Sequence, residues 1–170
     1  GKVIGGGLPV GAYGGRADLM RMIAPDGPVY QAGTLSGNPL ATAAGTSALR
    51  HLKAHPQLFQ QLEDRGRSLG DGIQALIREH GYPLTWNRVG SMASLFFTPD
   101  PVTDWHSAAR SDREAFKRFF WGMLERGFYL APSPFEALFL SAAHTEPDVA
   151  ATVAAAGEVL AEVFGKASSQ

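Results

Sequence analysis

The sequence predicts an α+β fold, and three observations carry that reading. After residue 55 the elements run helix, strands, helix, two strands, helix, an order that suits an antiparallel or mixed sheet covered by helices. The 170 residues are 45% hydrophobic and 18% charged, enough to bury a core in one ordinary domain, or in a small domain plus the edge of another. The chain opens not on Met but on a glycine-rich run, GKVIGGGLPVGAYGG, that looks like the interior of a domain, so a truncated or split chain is expected.

Composition narrows the function classes. A formal charge of -1 gives no electrostatic case for nucleic acid or an acidic membrane surface. The absence of cysteine excludes disulfides, thiolate zinc sites and cysteine nucleophiles, and suits a reducing cytoplasm. No apolar run has the length of a membrane span, and the N-terminus lacks the basic start and apolar stretch of a signal peptide. A cytoplasmic protein is expected.

Each element follows from local chemistry. Residues 1 to 15 hold seven glycines and one proline, too many for a helix interior, and predict turn and short strand. RADLMRMIAP has helical spacing at Leu19, Met20 and Ile23 and stops before Pro25 and the turn pair Asp26-Gly27. In the loop VYQAGTLSGN, Asn38 is placed to cap a helix whose first turn takes Pro39, and alanines and leucines carry that helix to about His55. Pro56 breaks the chain. A long amphipathic helix follows, with Leu58, Leu62, Leu69, Ile73, Leu76 and Ile77 on one face, closed by Gly81. Alternation from Leu84 to Thr98 predicts strands, notably SMASLFFT, before the turn-rich TPDPVTD. Ser111 and Glu114 form a capping-box pattern for a helix to about Arg126, with Gly127 as its stop. FYLAP and ALFLS read as two short strands around the loop SPFE. Thr145 opens a last helix, and GKASSQ reads as a frayed tail.

Few residues could carry chemistry. Lys2 precedes Gly5, Gly6 and Gly7, a setting in which a long amine projects from backbone that other groups can approach. A desolvated lysine amine can form a Schiff base with a carbonyl, although composition alone favours a surface lysine beside a flexible loop. A P-loop is excluded, because there the lysine follows the glycines and precedes Ser or Thr. The loop AGTLSGNP sets Gly33, Thr34, Ser36 and Gly37 just ahead of a helix N-terminus. That is a place for an anion, or simply a helix-capping loop with turn glycines. His51 and His55 are four apart on a helix but lack a third ligand and the glutamate of the zinc-protease pattern. His80, His106 and His144 read as ordinary polar residues, and Asp100, Asp104 and Asp112 as turn and capping groups. Phe116, Phe119, Phe120 and Trp121 read as core with one member left toward an interface.

Sequence order adds a family. GKVIGGGLPVGAYGG, followed at this spacing by GPVYQAGTLSGNPLATAAG and then by VGSMASLFFT, PVTDWHSAARSD and FFWGMLERGFYLAPSPFEALFLSAAHTEPD, resembles the glutamate-1-semialdehyde aminomutases, pyridoxal-phosphate (PLP) enzymes of the class III aminotransferase family and fold type I. The resemblance runs over nearly the whole chain. It implies that residues 1 to 54 are the end of the PLP-binding large domain with its connecting helix, and that residues 55 to 170 are the C-terminal small α+β domain. It also implies that an N-terminal large domain is missing from the chain.

On the same resemblance, Lys2 matches the lysine that carries the cofactor and shuttles protons, and Gly33 and Thr34 match the loop that binds the cofactor phosphate of the neighbouring subunit in a homodimer. Glu136 falls where the family has an acidic residue near the substrate, while Pro134 and Leu138 depart from the family pattern. The implied reaction converts glutamate 1-semialdehyde into 5-aminolevulinate for tetrapyrrole synthesis, starting from the pyridoxamine form of the cofactor. Another class III aminotransferase acting on an ω-amino acid, or a noncatalytic split-off module, is the alternative. No metal is expected. Residues 1 to 37 are expected to lack partners for their apolar groups in the isolated chain, so amides 3 to 15 should exchange with solvent quickly in a monomer; strong protection there, read by hydrogen exchange, would contradict this.

Overall fold

The computed structural model describes residues 3–165; Lys2 and the tail after Gly165 lie outside the described residues. The chain divides into two compact units, Gly1–Pro56 and Gln57–Gln170.

In the first unit, residues 3 to 9 form turns and bends and residues 10 to 15 are irregular, with no strand. Glycine replaces side-chain packing there: a Cβ on Gly5 would sit 2.0 Å from the Leu8 carbonyl oxygen. A short helix, α1 (Ala17–Met20), is shorter than its sequence spacing suggests, and a parallel bridge joins Ile23 to Val29. Helix α2 (Pro39–Ala54) begins as expected, with the Asn38 side chain accepting a hydrogen bond from the Ala41 amide at 3.0 Å and Pro39 in the first turn. Val3, Tyr13, Tyr30 and Leu35 are all more than half exposed, as expected for apolar groups of residues 1 to 37.

The second unit holds a three-stranded antiparallel sheet of order β1-β2-β3, formed by β1 (Thr85–Val89), β2 (Met92–Phe96) and β3 (Leu138–Phe139). Helix α3 (Gln57–His80) precedes it, α4 (Trp105–Ala108) and α5 (Arg113–Glu125) follow β2, and α6 (Glu146–Gly165) ends the unit. The register Thr85↔Phe96 through Val89↔Met92 leaves Gly90 and Ser91 as a two-residue turn, with Gly90 at φ 60, the left-handed conformation such a hairpin needs. Leu69 and Ile73 of α3, Phe119 and Met123 of α5, and Val159 and Leu160 of α6 meet Leu95 and Phe97 in one core. The periodicity of α3 therefore marks the buried face correctly.

Close approach depends on missing side chains. A Cβ on Gly66 would stand 2.3 Å from the Gly90 carbonyl oxygen, so α3 seats the hairpin turn only because position 66 is bare. Arg88 reinforces that contact, donating to Glu63 at 2.9 Å and to the Gly90 carbonyl at 2.7 Å. Likewise a Cβ on Gly122 would lie 2.7 Å from Val159, which sets the approach of α5 to α6.

Three expectations need correction. The cap of α5 is Asp112, not Ser111: the Asp112 amide donates to the Phe97 carbonyl at 2.8 Å, which holds it outside the helix while its carboxylate accepts from the Glu114 and Ala115 amides. The Ser111 amide instead closes a turn onto Ala108. The reciprocal capping box lies at Asp104 and Ser107, on α4, a helix the sequence did not suggest. Finally, FYLAP forms no strand, and of ALFLS only two residues pair.

Two substitutions separate steric need from helix propensity. Gly66→Ala collides with backbone and is expected to cost about 1–3 kcal/mol. Gly157→Ala meets only the flexible Leu76 side chain, at 3.2 Å, and should change stability by less than about 1 kcal/mol; denaturant unfolding of both variants checks the contrast. At the start of α6, the Asp148 carboxylate accepts from the Thr145 amide and hydroxyl, both at 2.7 Å, and these bonds hold its pKa below the ordinary 3.8. A depressed carboxylate contributes stability above its unfolded pKa and loses it as pH falls through the folded value. The melting-temperature gap between the native chain and Asp148→Asn should therefore narrow as pH falls below about 4.

Candidate functional site

Of the residues suggested by the sequence, Gly33 and Thr34 lie in the first unit just before the N-terminus of α2. Ser36 donates its amide to the Gly33 carbonyl at 2.9 Å, and Asn38 donates to Leu35 at 3.1 Å, so residues 33 to 38 wind into two overlapping turns. A Cβ on Gly33 would stand 3.2 Å from the Ser36 hydroxyl, and Gly37 adopts φ 70. Winding this tight turns amides outward: among the described residues, those of Thr34, Leu35 and Gly37 donate to no carbonyl or side chain.

Gly33, Leu35, Ser36, Gly37 and the positive end of a 16-residue helix line one face of a cavity of about 490 Å³, and Thr34 is not among the residues that line it. Pro9, Val10, Tyr13 and Gln31 line its other side. Donors of this kind without an opposing carboxylate suit a phosphate dianion. The glycine-rich segment reaches the same helix: a Cβ on Gly45 would lie 3.1 Å from the Ile4 carbonyl oxygen, so the backbone two residues after Lys2 rests on α2. Seven residues separate Gly45 from Asn38, about 10 Å along the helix axis. Lys2 itself lies outside the described residues.

Glu136 belongs to the second unit. Its amide donates to the Ser133 carbonyl at 3.2 Å, and its carboxylate is exposed and makes no bond among the described residues. The loop around Pro134 is held by Phe135, which packs edge-on to Trp105 at 5.0 Å and lies under the Arg113 guanidinium at 5.2 Å. Gly33 and Thr34 thus share one loop, whereas Glu136 sits on a separate loop of the other unit. Tyr13 and Gln31 escaped the sequence reading, since only the turn at Ile23↔Val29 returns the chain toward them. The histidines behave as ordinary polar groups. His51 and His55 stand 4.5 Å apart, His80 stacks on Tyr82, and His144 accepts the Ser141 amide at 3.0 Å. Among the described residues no cluster of His, Asp and Glu could hold a metal ion, and no helix is long and apolar enough to cross a membrane.

The family model for aminotransferase class III matches residues 1–141, a span that contains the glycine-rich segment, the loop at 33 to 38 and the sheet. The chain belongs to the class III aminotransferases. Among curated proteins, the glutamate-1-semialdehyde 2,1-aminomutase of Deinococcus radiodurans is 54% identical over 93% of this chain and 36% of its own length. That of Thermus thermophilus is 55% identical over 94% of this chain and 38% of its own length. Among solved structures, an ω-transaminase from Sphaerobacter thermophilus superposes with a TM-score of 0.84 at 33% identity, covering 96% of this chain and 37% of that one. The chain therefore spans little more than a third of the relatives it matches.

Proposed function

We propose that this chain is the C-terminal portion of a PLP-dependent aminomutase that converts glutamate 1-semialdehyde into 5-aminolevulinate for tetrapyrrole synthesis. The observation that carries the reading is the 54–55% identity to the aminomutases over nearly the whole chain. In this reading residues 1 to 54 end the cofactor-binding large domain, and residues 55 to 170 form the small domain. The rest of the enzyme supplies the remainder of the cofactor site, and the assembled enzyme is a cytoplasmic homodimer.

The reaction is an isomerisation, so substrate and product have the same composition: one amine is given to C1 and one is taken from C2, and the water released at C1 balances the water taken up at C2. The cofactor supplies an electron sink for that transfer. This chain supplies three things. The Lys2 amine would hold the cofactor and would take and return the proton at the substrate carbon. The Gly33–Thr34 loop orients the neighbouring subunit's cofactor by its phosphate, with the Thr34 and Ser36 hydroxyls and the outward amides as donors. Glu136 stands toward the substrate.

A second reading, an ω-amino acid aminotransferase, draws on the superposition with the Sphaerobacter enzyme. The two differ in stoichiometry: an aminomutase turns over glutamate 1-semialdehyde with no added keto acid, and a transaminase stalls without one. In the assembled enzyme, Lys2→Ala is expected to abolish both turnover and the covalent mark left on residue 2 by borohydride reduction, read by mass spectrometry. Thr34→Val should keep that mark while weakening cofactor retention by about 10- to 100-fold, the worth of one hydrogen bond to a charged group. Full activity of Lys2→Ala, or turnover that requires a keto acid, would overturn the assignment.

A further inference from the structure

Glu136 is carried on a turn that is tied down residue by residue. Its amide donates to the Ser133 carbonyl at 3.2 Å, which closes a β-turn over residues 133 to 136 with Pro134 in the second position, where the fixed φ of proline suits the turn. The Phe135 amide donates to the Ser133 hydroxyl at 3.3 Å. Pro134 and Leu138, the two departures from the family pattern, both border one residual void of about 20 Å³ beside Leu95, Phe116 and Phe119. So small a void leaves the turn little room to shift.

The ring of Phe135 anchors this turn. It packs on a small cluster of Phe96, Val102 and Ala108, meets Trp105 edge-on and lies under the Arg113 guanidinium. Each contact has its own support. The capping box of α4 sets Trp105, the bond from the Asp112 amide to the Phe97 carbonyl sets the start of α5 and with it Arg113, and the Asn87 side chain donates to the Val102 carbonyl at 2.8 Å. Phe135 is half-buried whereas Glu136 is exposed, so the turn sends the ring inward and the acid outward. Among the described residues the Glu136 carboxylate has no partner to orient it, and what fixes it is the backbone from which it starts.

We propose that Phe135 is a positioning residue for Glu136: its ring, held by Trp105 and Arg113, sets the origin and direction of the Glu136 side chain before substrate arrives. The proposal rests on the reading above, in which Glu136 stands toward the substrate. Such placement matters because a group about 1 Å out of position loses much of its effect on a reacting molecule.

The test is a double-mutant cycle in the assembled enzyme, read as kcat/KM for glutamate 1-semialdehyde. Phe135→Leu keeps apolar bulk but removes the ring, and is expected to lower kcat/KM about tenfold, while Phe135→Tyr, which keeps the ring, restores most of that loss. Glu136→Gln lowers kcat/KM as well, and adding Phe135→Leu to it is expected to change nothing further, because the group being positioned is gone. Hydrogen exchange on the 170-residue chain separates positioning from unfolding: Phe135→Leu should speed exchange at the Glu136 amide and leave the amides of residues 119 to 123 as slow as before. Equal losses from Phe135→Leu with and without Glu136→Gln, or no loss at all, overturn the positioning role and spare the functional reading. Loss of protection throughout the second unit in Phe135→Leu makes the ring structural only and also overturns it. Full turnover of Glu136→Gln removes Glu136 from the substrate and overturns both its assigned role and the proposal.

Discussion

The second unit depends on how closely α6 can be approached. Val159 and Leu160 are almost wholly buried, and both α3 and α5 press on this one helix. Neither could do so with ordinary side chains at the crossing points. A Cβ at Gly72 would lie 2.6 Å from Val153, and one at Gly122 would lie 2.7 Å from Val159. The alanine-rich stretch of α6 keeps its own profile low in turn. Dense packing of this kind has no slack, so the sheet carried on α3 inherits its position from the helix pair. Arg126, which reaches Glu158 and Glu162 from the end of α5, adds little by comparison, because the carboxylates are exposed and solvent screens the pair.

The first unit is built on another basis. It has one substantial helix, and the rest of its backbone is ordered by turns and by contact with that helix. Ala41 and Gly45 are its buried positions on α2, both small, so backbone rather than side chain lies against the helix. The arrangement is poor as a hydrophobic core and good as a ligand site, since it leaves main-chain donors pointing outward near a helix N-terminus. Large apolar side chains remain in water as a result.

What could be read from the sequence was local. Asn38 and Pro39 announce the start of α2 because capping is a matter of neighbouring residues, and the apolar face of α3 shows because it repeats with the helix. The cap of α5 could not be read this way. Ser111 and Asp112 are both able to cap, and the choice is made by a hydrogen bond from Asp112 to Phe97, fifteen residues earlier. FYLAP has the composition of a strand, but a strand also needs a neighbour, which composition does not specify. The site divides similarly. The donors at 33 to 38 were legible as a loop before a helix, whereas Tyr13 and Gln31 carry no signal until the chain has folded. Lys2 stood out from any other lysine only through the order of motifs around it.

Exposure bears directly on what the loop can do by itself. Gly33 and Thr34 lie open to water, and in water an amide or hydroxyl gains little by exchanging a solvent partner for a phosphate oxygen. Electrostatic attraction at such a surface is also many times weaker than in a closed site of low dielectric. In the proposed role such a loop would set where a phosphate goes and which way it faces, while tight binding would require that water be excluded by further protein. The apolar side chains left uncovered in the same unit are the surface such protein would bury. In the proposed reading, donors and uncovered apolar area are thus two aspects of one requirement: cover for the loop and for the side chains beside it.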